Sequence, residues 1–118
     1  MTLRPLMFTS GLVGVALIGW LSLVPGAMRP HALSSGYAEH FIAYALVSLC
    51  LCAGAGTRVR SVWAILLLSV MSAVLEIAQI GIPGRSAEAL GALASTAGAI
   101  AGGAASIPAE RLLGLLQK

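Results

Sequence analysis

Long apolar stretches alternate with short polar connections along this chain. Four runs of about 20 residues are nearly free of charge, and a helix of that length crosses the hydrocarbon core of a bilayer. The pattern predicts membrane spans at about residues 6–24, 39–57, 61–82 and 88–106. The third run contains a single charged residue, Glu76, and the fourth consists largely of Ala and Gly. Because such small side chains contribute little transfer energy, we expect the fourth span to pack among the others.

The four spans occupy most of the 118 residues and leave no room for a soluble domain. We therefore predict an all-α fold, an integral membrane four-helix antiparallel bundle that forms one domain over residues 1–118. The leucine-rich tail, residues 108–118, predicts a short C-terminal amphipathic helix on the inner membrane surface. We expect the first run to be a retained span rather than a secretory signal peptide, because it is long enough to cross the bilayer.

Composition excludes several classes of function. The chain is 58% hydrophobic and 9% charged, whereas soluble domains have about 25% charged residues. A soluble enzyme and a disordered tail are therefore excluded. The net charge of +3 rests on scattered residues, with no basic run beyond Arg58 and Arg60. We accordingly expect membrane lipids, and no nucleic acid, as partners. Asp and Asn are absent from the sequence, which removes Asp-based chemistry, and we expect no cofactor and no metal.

The distribution of basic residues predicts the orientation of the bundle. Short loops with more Lys and Arg stay in the cytoplasm. If both termini lie on one side, that side carries Arg4, Arg58, Arg60, Arg111 and Lys118, and the other side carries Arg29 and Arg85. We therefore predict cytoplasmic N- and C-termini in the inner or plasma membrane of a bacterium.

Polar side chains concentrate near the outer ends of the second and third spans. Ionisable groups inside a membrane span are costly, so they are candidate functional residues. His40 and Tyr44 are four residues apart and share one helix face, and Glu76 and Gln79 share another. The candidate ligand-binding residues are Glu39, His40, Tyr44, Glu76, Gln79 and Arg85.

Two interpretations of these residues are open. In one, Arg85 neutralises Glu76 or Glu39, and the cluster only holds the helices together. In the other, the cluster forms a polar pocket open to the outer leaflet. Arg85 would then bind a phosphate or carboxylate through its two-pronged guanidinium, and a glutamate beside His40 would carry a proton. A metal site is not expected, because adjacent Glu and His do not form a zinc motif.

Small residues recur at helical spacing in the fourth span. The helix-packing candidates are Gly91, Ser95, Gly98 and Gly102, and the last two form a GxxxG pair. Such stripes allow helix backbones to approach closely in lipid. The stripe is consistent with packing inside this bundle or against a partner subunit.

Three sequence elements resemble the VanZ-like family of small membrane proteins. They are WLSLVP at 20–25, Glu39-His40-Phe41 with Tyr44, and Glu76-Ile77-Ala78-Gln79 followed by Ile82-Pro83-Gly84-Arg85. The resemblance covers about residues 20–103 and implies a four-helix integral membrane fold. The family takes its name from a member linked to teicoplanin resistance, and no general biochemical activity is established for it.

The chain departs from the family pattern at three positions. Tyr37, Gly91 and Ser95 stand where the family typically has a basic residue, an Asp and an Asn. The changes at Gly91 and Ser95 favour packing over chemistry on the fourth helix.

Three functions follow as hypotheses. The first is a non-enzymatic envelope protein that binds an anionic or amphiphilic ligand, such as a lipid-linked precursor or a lipopeptide. The second is an accessory or scaffold subunit of a larger membrane complex, joined through the small-residue stripe. The third, ranked last, is a membrane-embedded hydrolase or transferase with Glu76 as base and His40 as acid.

Overall fold

The computed structural model describes residues 3–25, 36–84 and 89–116. These residues form four helices: α1 (Leu3–Leu23), α2 (Gly36–Ala55), α3 (Arg58–Ala78) and α4 (Ala89–Leu116). A short 3-10 turn, Gln79–Gly81, extends α3. All four helices are long and apolar enough to cross a membrane. The prediction of an all-α bundle is confirmed, and the chain is a polytopic membrane protein.

The end of α4 differs from the prediction of a separate amphipathic tail helix. Instead, α4 continues through Pro108 to Leu116 as a single helix of 28 residues. Proline has no backbone N–H and normally kinks or ends a helix. Here the segment beyond Pro108 still contributes to the bundle interior, because Leu113 is only 9% exposed. Burial of Leu113 favours continuation of the helix over a tail lying on the membrane surface.

A very short connection turns the chain from α2 into α3. Gly56 has a φ of 83°, a left-handed conformation that glycine adopts without steric cost. The Thr57 hydroxyl then accepts a hydrogen bond from the Arg60 backbone N–H at 3.3 Å and caps the start of α3. The two residues suffice to reverse the chain, so α2 and α3 are antiparallel neighbours.

The α2–α4 pair forms the centre of the bundle. These two helices make the most extensive contact, α1 packs mainly on α2, and α3 packs on α4 and α2. Gly98 faces Phe41 and Gly102 faces Ala45, so residue numbers rise together and α2 and α4 run parallel. Helices adjacent along the chain run antiparallel, as in an up-down-up-down bundle.

Glycine allows the backbones of α2 and α4 to come into contact. A Cβ atom on Gly98 or Gly102 would overlap the backbone carbonyl of Phe41 or Ala45. Beside the second of these contacts, the Ser48 hydroxyl donates a hydrogen bond of 2.6 Å to the Ala99 carbonyl. All four residues of the predicted stripe are buried: Gly91, Ser95, Gly98 and Gly102. The stripe therefore lies inside this bundle, covered by helices of the same chain.

The interhelical hydrogen bond of Ser48 leads to a stability prediction. We expect Ser48→Ala to lower the free energy of unfolding by about 0.6–1 kcal/mol, because the bond joins two helices in a fully buried position. Unfolding in mixed detergent micelles measures the change. The matched control is Ser10→Ala, because the Ser10 hydroxyl is exposed and binds only the Leu6 carbonyl of its own helix. Equal stabilities of the two variants would contradict the prediction.

Candidate ligand-binding site

Three helices bring polar side chains together at one end of the bundle. We call it the polar end; there α2 and α4 begin and α3 finishes. His40 lies four residues into α2, Ser95 six residues into α4, and Glu76 two residues before the end of α3. At 1.5 Å per residue, these positions are about 3–9 Å from the helix ends. The polar groups thus lie near the ends of their helices and not in the middle of the spans.

A polar contact between α2 and α4 at this end joins His40 to Ser95. His40 Nδ1 lies 3.1 Å from Ser95 Oγ, and the same hydroxyl donates a hydrogen bond of 2.9 Å to the Gly91 carbonyl. Ser95 is 1% exposed, whereas His40 is half-buried. The stripe of small residues in α4 indicates only a packing role for Ser95. The signal for its polar role was a single hydroxyl within a stripe of glycines.

Glu76 reaches the same region from α3. A Cβ atom on Gly91 would overlap the Glu76 carboxylate, so the missing side chain of Gly91 makes room for this carboxylate against α4. Glu76 also acts electrostatically on Tyr44. Tyr44 is 3% exposed and belongs to the apolar core, whereas Glu76 is half-buried. The structure therefore brings His40, Tyr44 and Glu76 to one end of the bundle.

Gln79 has a structural contact with a different helix. Its side-chain amide donates a hydrogen bond of 3.0 Å to the Ser22 carbonyl, and the residue is 4% exposed. Ser22 lies in the last turn of α1, where carbonyl groups lack partners within the helix. Gln79 thus connects the end of α3 to the end of α1. This hydrogen bond gives Gln79 a role in holding α1 that its predicted position beside Glu76 did not indicate.

Glu39 and Arg85 are the other two predicted site residues. Glu39 is half-buried and lies in the first turn of α2, where the helix dipole stabilises a negative charge. Arg85 lies outside the described residues. Within residues 3–25, 36–84 and 89–116, no three His, Cys, Asp or Glu side chains are grouped so that they could hold a metal ion.

The chain matches no protein-family model, and no curated protein or solved structure is significantly similar to it. The fold defines the class, a polytopic helical membrane protein. Its function is therefore inferred from the geometry of the polar end.

Proposed function

We propose that this membrane protein is non-enzymatic and binds the polar head of an anionic or amphiphilic envelope ligand at its polar end. The observation that carries the proposal is the convergence of polar side chains from three helices within about 9 Å of the helix ends. His40 and Glu76 remain half-buried there, while Ser95 beneath them is almost fully covered. Such a site can contact a headgroup from the membrane surface.

The chemistry of the site suits a molecule with a polar head and an apolar chain. Histidine and tyrosine can donate hydrogen bonds, and carboxylates accept them. Arg85 follows Pro83-Gly84 in the sequence and would supply a guanidinium for a phosphate or carboxylate. A lipid-linked precursor or a lipopeptide combines such groups with a chain that can lie along the apolar outer surface of the bundle.

Partial exposure distinguishes His40 and Glu76 from purely structural hydroxyls elsewhere. Ser48 and Ser106 are 0% exposed, and each hydroxyl has a backbone acceptor. Groups that only hold helices together need no access to the surface. The partial exposure of His40 and Glu76 therefore supports ligand binding over a purely structural role.

The proposal includes membership of the VanZ-like family and a location in the bacterial plasma membrane with the polar end outward. The order of the family-like motifs supports the first part. At the position of the family's Asn, Ser95 still provides a polar contact with His40. The opposite end carries Arg4, Arg58, Arg60 and Arg111, which supports cytoplasmic termini.

The alternative function is an accessory subunit of a larger membrane complex. The small-residue stripe of α4 would favour this alternative if it were exposed, but α2 and Glu76 cover the stripe. A partner would have to bind another surface of the bundle. The mass of the intact particle, released from native membranes with mild detergent, tests this alternative, because a large stoichiometric assembly would favour it.

Amphiphile binding tests the proposed function. The purified chain in dodecyl maltoside is titrated with dodecyl phosphate and, separately, with dodecylammonium, and its unfolding temperature is recorded. We expect a saturable rise with dodecyl phosphate that exceeds any rise with dodecylammonium. The rise with dodecyl phosphate should be lost in His40→Gln and in Arg85→Ala, because each variant removes a group proposed to bind the phosphate. Ser106→Ala is the matched control, since this buried hydroxyl binds only its own helix and lies towards the other end of α4.

Two results would count against the proposal. One is an unfolding temperature that dodecyl phosphate does not raise in the wild-type chain. The other is a rise that His40→Gln and Arg85→Ala leave unchanged. If these variants only lower stability without ligand and keep the saturable rise, the cluster is structural.

A further inference from the structure

The hydroxyl of Ser95 has two polar neighbours but only one proton. It lies 2.9 Å from the Gly91 carbonyl and 3.1 Å from His40 Nδ1. A carbonyl oxygen can only accept a hydrogen bond, so the shorter contact uses the serine proton. The oxygen of Ser95 then faces Nδ1 with its lone pairs. Both contacts are hydrogen bonds only if Nδ1 carries a proton and donates it.

We infer that Ser95 is a positioning residue that holds His40 with its proton on Nδ1. The hydrogen bond at one ring nitrogen determines which tautomer a histidine adopts. Burial strengthens this control, because Ser95 is 1% exposed and water does not compete for its hydroxyl. The backbone of α4 therefore acts on a side chain of α2 through one hydroxyl.

In this arrangement the two ring nitrogens of His40 have different roles. Nδ1 keeps its proton in the neutral and in the charged ring, so His40 gains and loses a proton only at Nε2. When neutral, the ring has its accepting lone pair on Nε2. Nε2 can donate to an anionic headgroup only when the ring is charged; this role rests on the proposed function, whereas the tautomer itself does not.

Nitrogen NMR on the full chain in detergent micelles tests the inference. The sequence contains two histidines, His31 and His40, and the variant His31→Gln identifies the His40 signals in a sample labelled with 15N-histidine. At a pH where the ring is neutral, we expect a protonated-type shift at Nδ1 and an unprotonated-type shift at Nε2. Histidine in water favours the opposite tautomer, so the expected pattern reports the effect of Ser95.

Matched variants separate positioning from general stability. In Ser95→Ala, the Nδ1 signal should move towards the unprotonated position, because the acceptor is gone. Ser106→Ala removes an equally buried hydroxyl from the same helix and should leave the His40 pattern unchanged. Ser95→Thr keeps a hydroxyl and should retain the wild-type pattern if the variant folds.

Each outcome decides the inference independently of ligand binding. An unprotonated Nδ1 in the wild-type chain would overturn it, and so would a pattern that Ser95→Ala does not alter. If the Nδ1 proton is present and depends on Ser95, the inference stands even when neither dodecyl phosphate nor dodecylammonium binds. In that case only the proposed function fails.

Discussion

Replacing Gly98 by alanine is expected to lower the free energy of unfolding by about 1–3 kcal/mol, and leucine by more. A Cβ atom at this position would overlap the Phe41 backbone carbonyl. A backbone carbonyl cannot rotate away as a side chain can, so the two central helices must move apart. Overpacking of a close contact typically has a cost of this size. Unfolding in mixed detergent micelles measures the loss.

The same helix provides a matched control for Gly98. A Cβ atom on Gly114 would meet nothing within 4 Å, so Gly114→Ala changes helix propensity without crowding. Alanine is favoured over glycine inside a helix by about 0.5–1 kcal/mol, and this variant should be at least as stable as the wild type. If Gly98→Ala were as stable as Gly114→Ala, the close α2–α4 contact would not be essential.

Replacing Gly91 by alanine is expected to shift the ratio of the affinities for dodecyl phosphate and dodecylammonium at least about tenfold in favour of the phosphate, because a nearby carboxylate attracts the cation and repels the anion, while most of the stability stays intact. The new Cβ atom would overlap the Glu76 carboxylate. This group is the far end of a flexible side chain, so it can move away at little cost in stability. The displaced carboxylate would then be lost from the polar end. The amphiphile titration and the unfolding temperature of the same sample measure the two effects.

Gly19→Ala is the control for this second substitution. Gly19 lies in α1, and a Cβ atom there would meet nothing within 4 Å. This variant should bind both amphiphiles as the wild type does. An unchanged affinity ratio in Gly91→Ala would show that the position of Glu76 does not matter for binding. A loss of stability as large as that of Gly98→Ala would show that Glu76 cannot move aside.

The glycines of the small-residue stripe in α4 have different roles. Gly98 and Gly102 lie against backbone of α2, whereas Gly91 lies against a carboxylate of α3. The missing side chain therefore determines stability at two positions and the shape of the site at the third. Spacing alone placed all of them in one class, because it reports the shared helix face and not the neighbouring group.

The spans and the candidate cluster could be predicted from the sequence for a simple physical reason. Within a bilayer, backbone polar groups must be satisfied inside each segment, so an apolar run of sufficient length is a helix. Ionisable groups are costly at that depth, so His40 and Glu76 could be recognised as candidate site residues. Helical spacing then placed His40 and Tyr44 on one face. These inferences need only the order of residues along a single helix.

Contacts between helices required the tertiary structure. The hydrogen bond of Ser95 with His40, that of Gln79 with α1, and the continuation of α4 beyond Pro108 were all absent from the prediction. Each depends on the register in which helices pack, and that register depends on the fit of many side chains at once. The sequence by itself therefore determined the membrane class, the four helices and the polar residues available for a site. Only the tertiary structure decided that α2 and α4 form the central pair and which residues meet at its polar end.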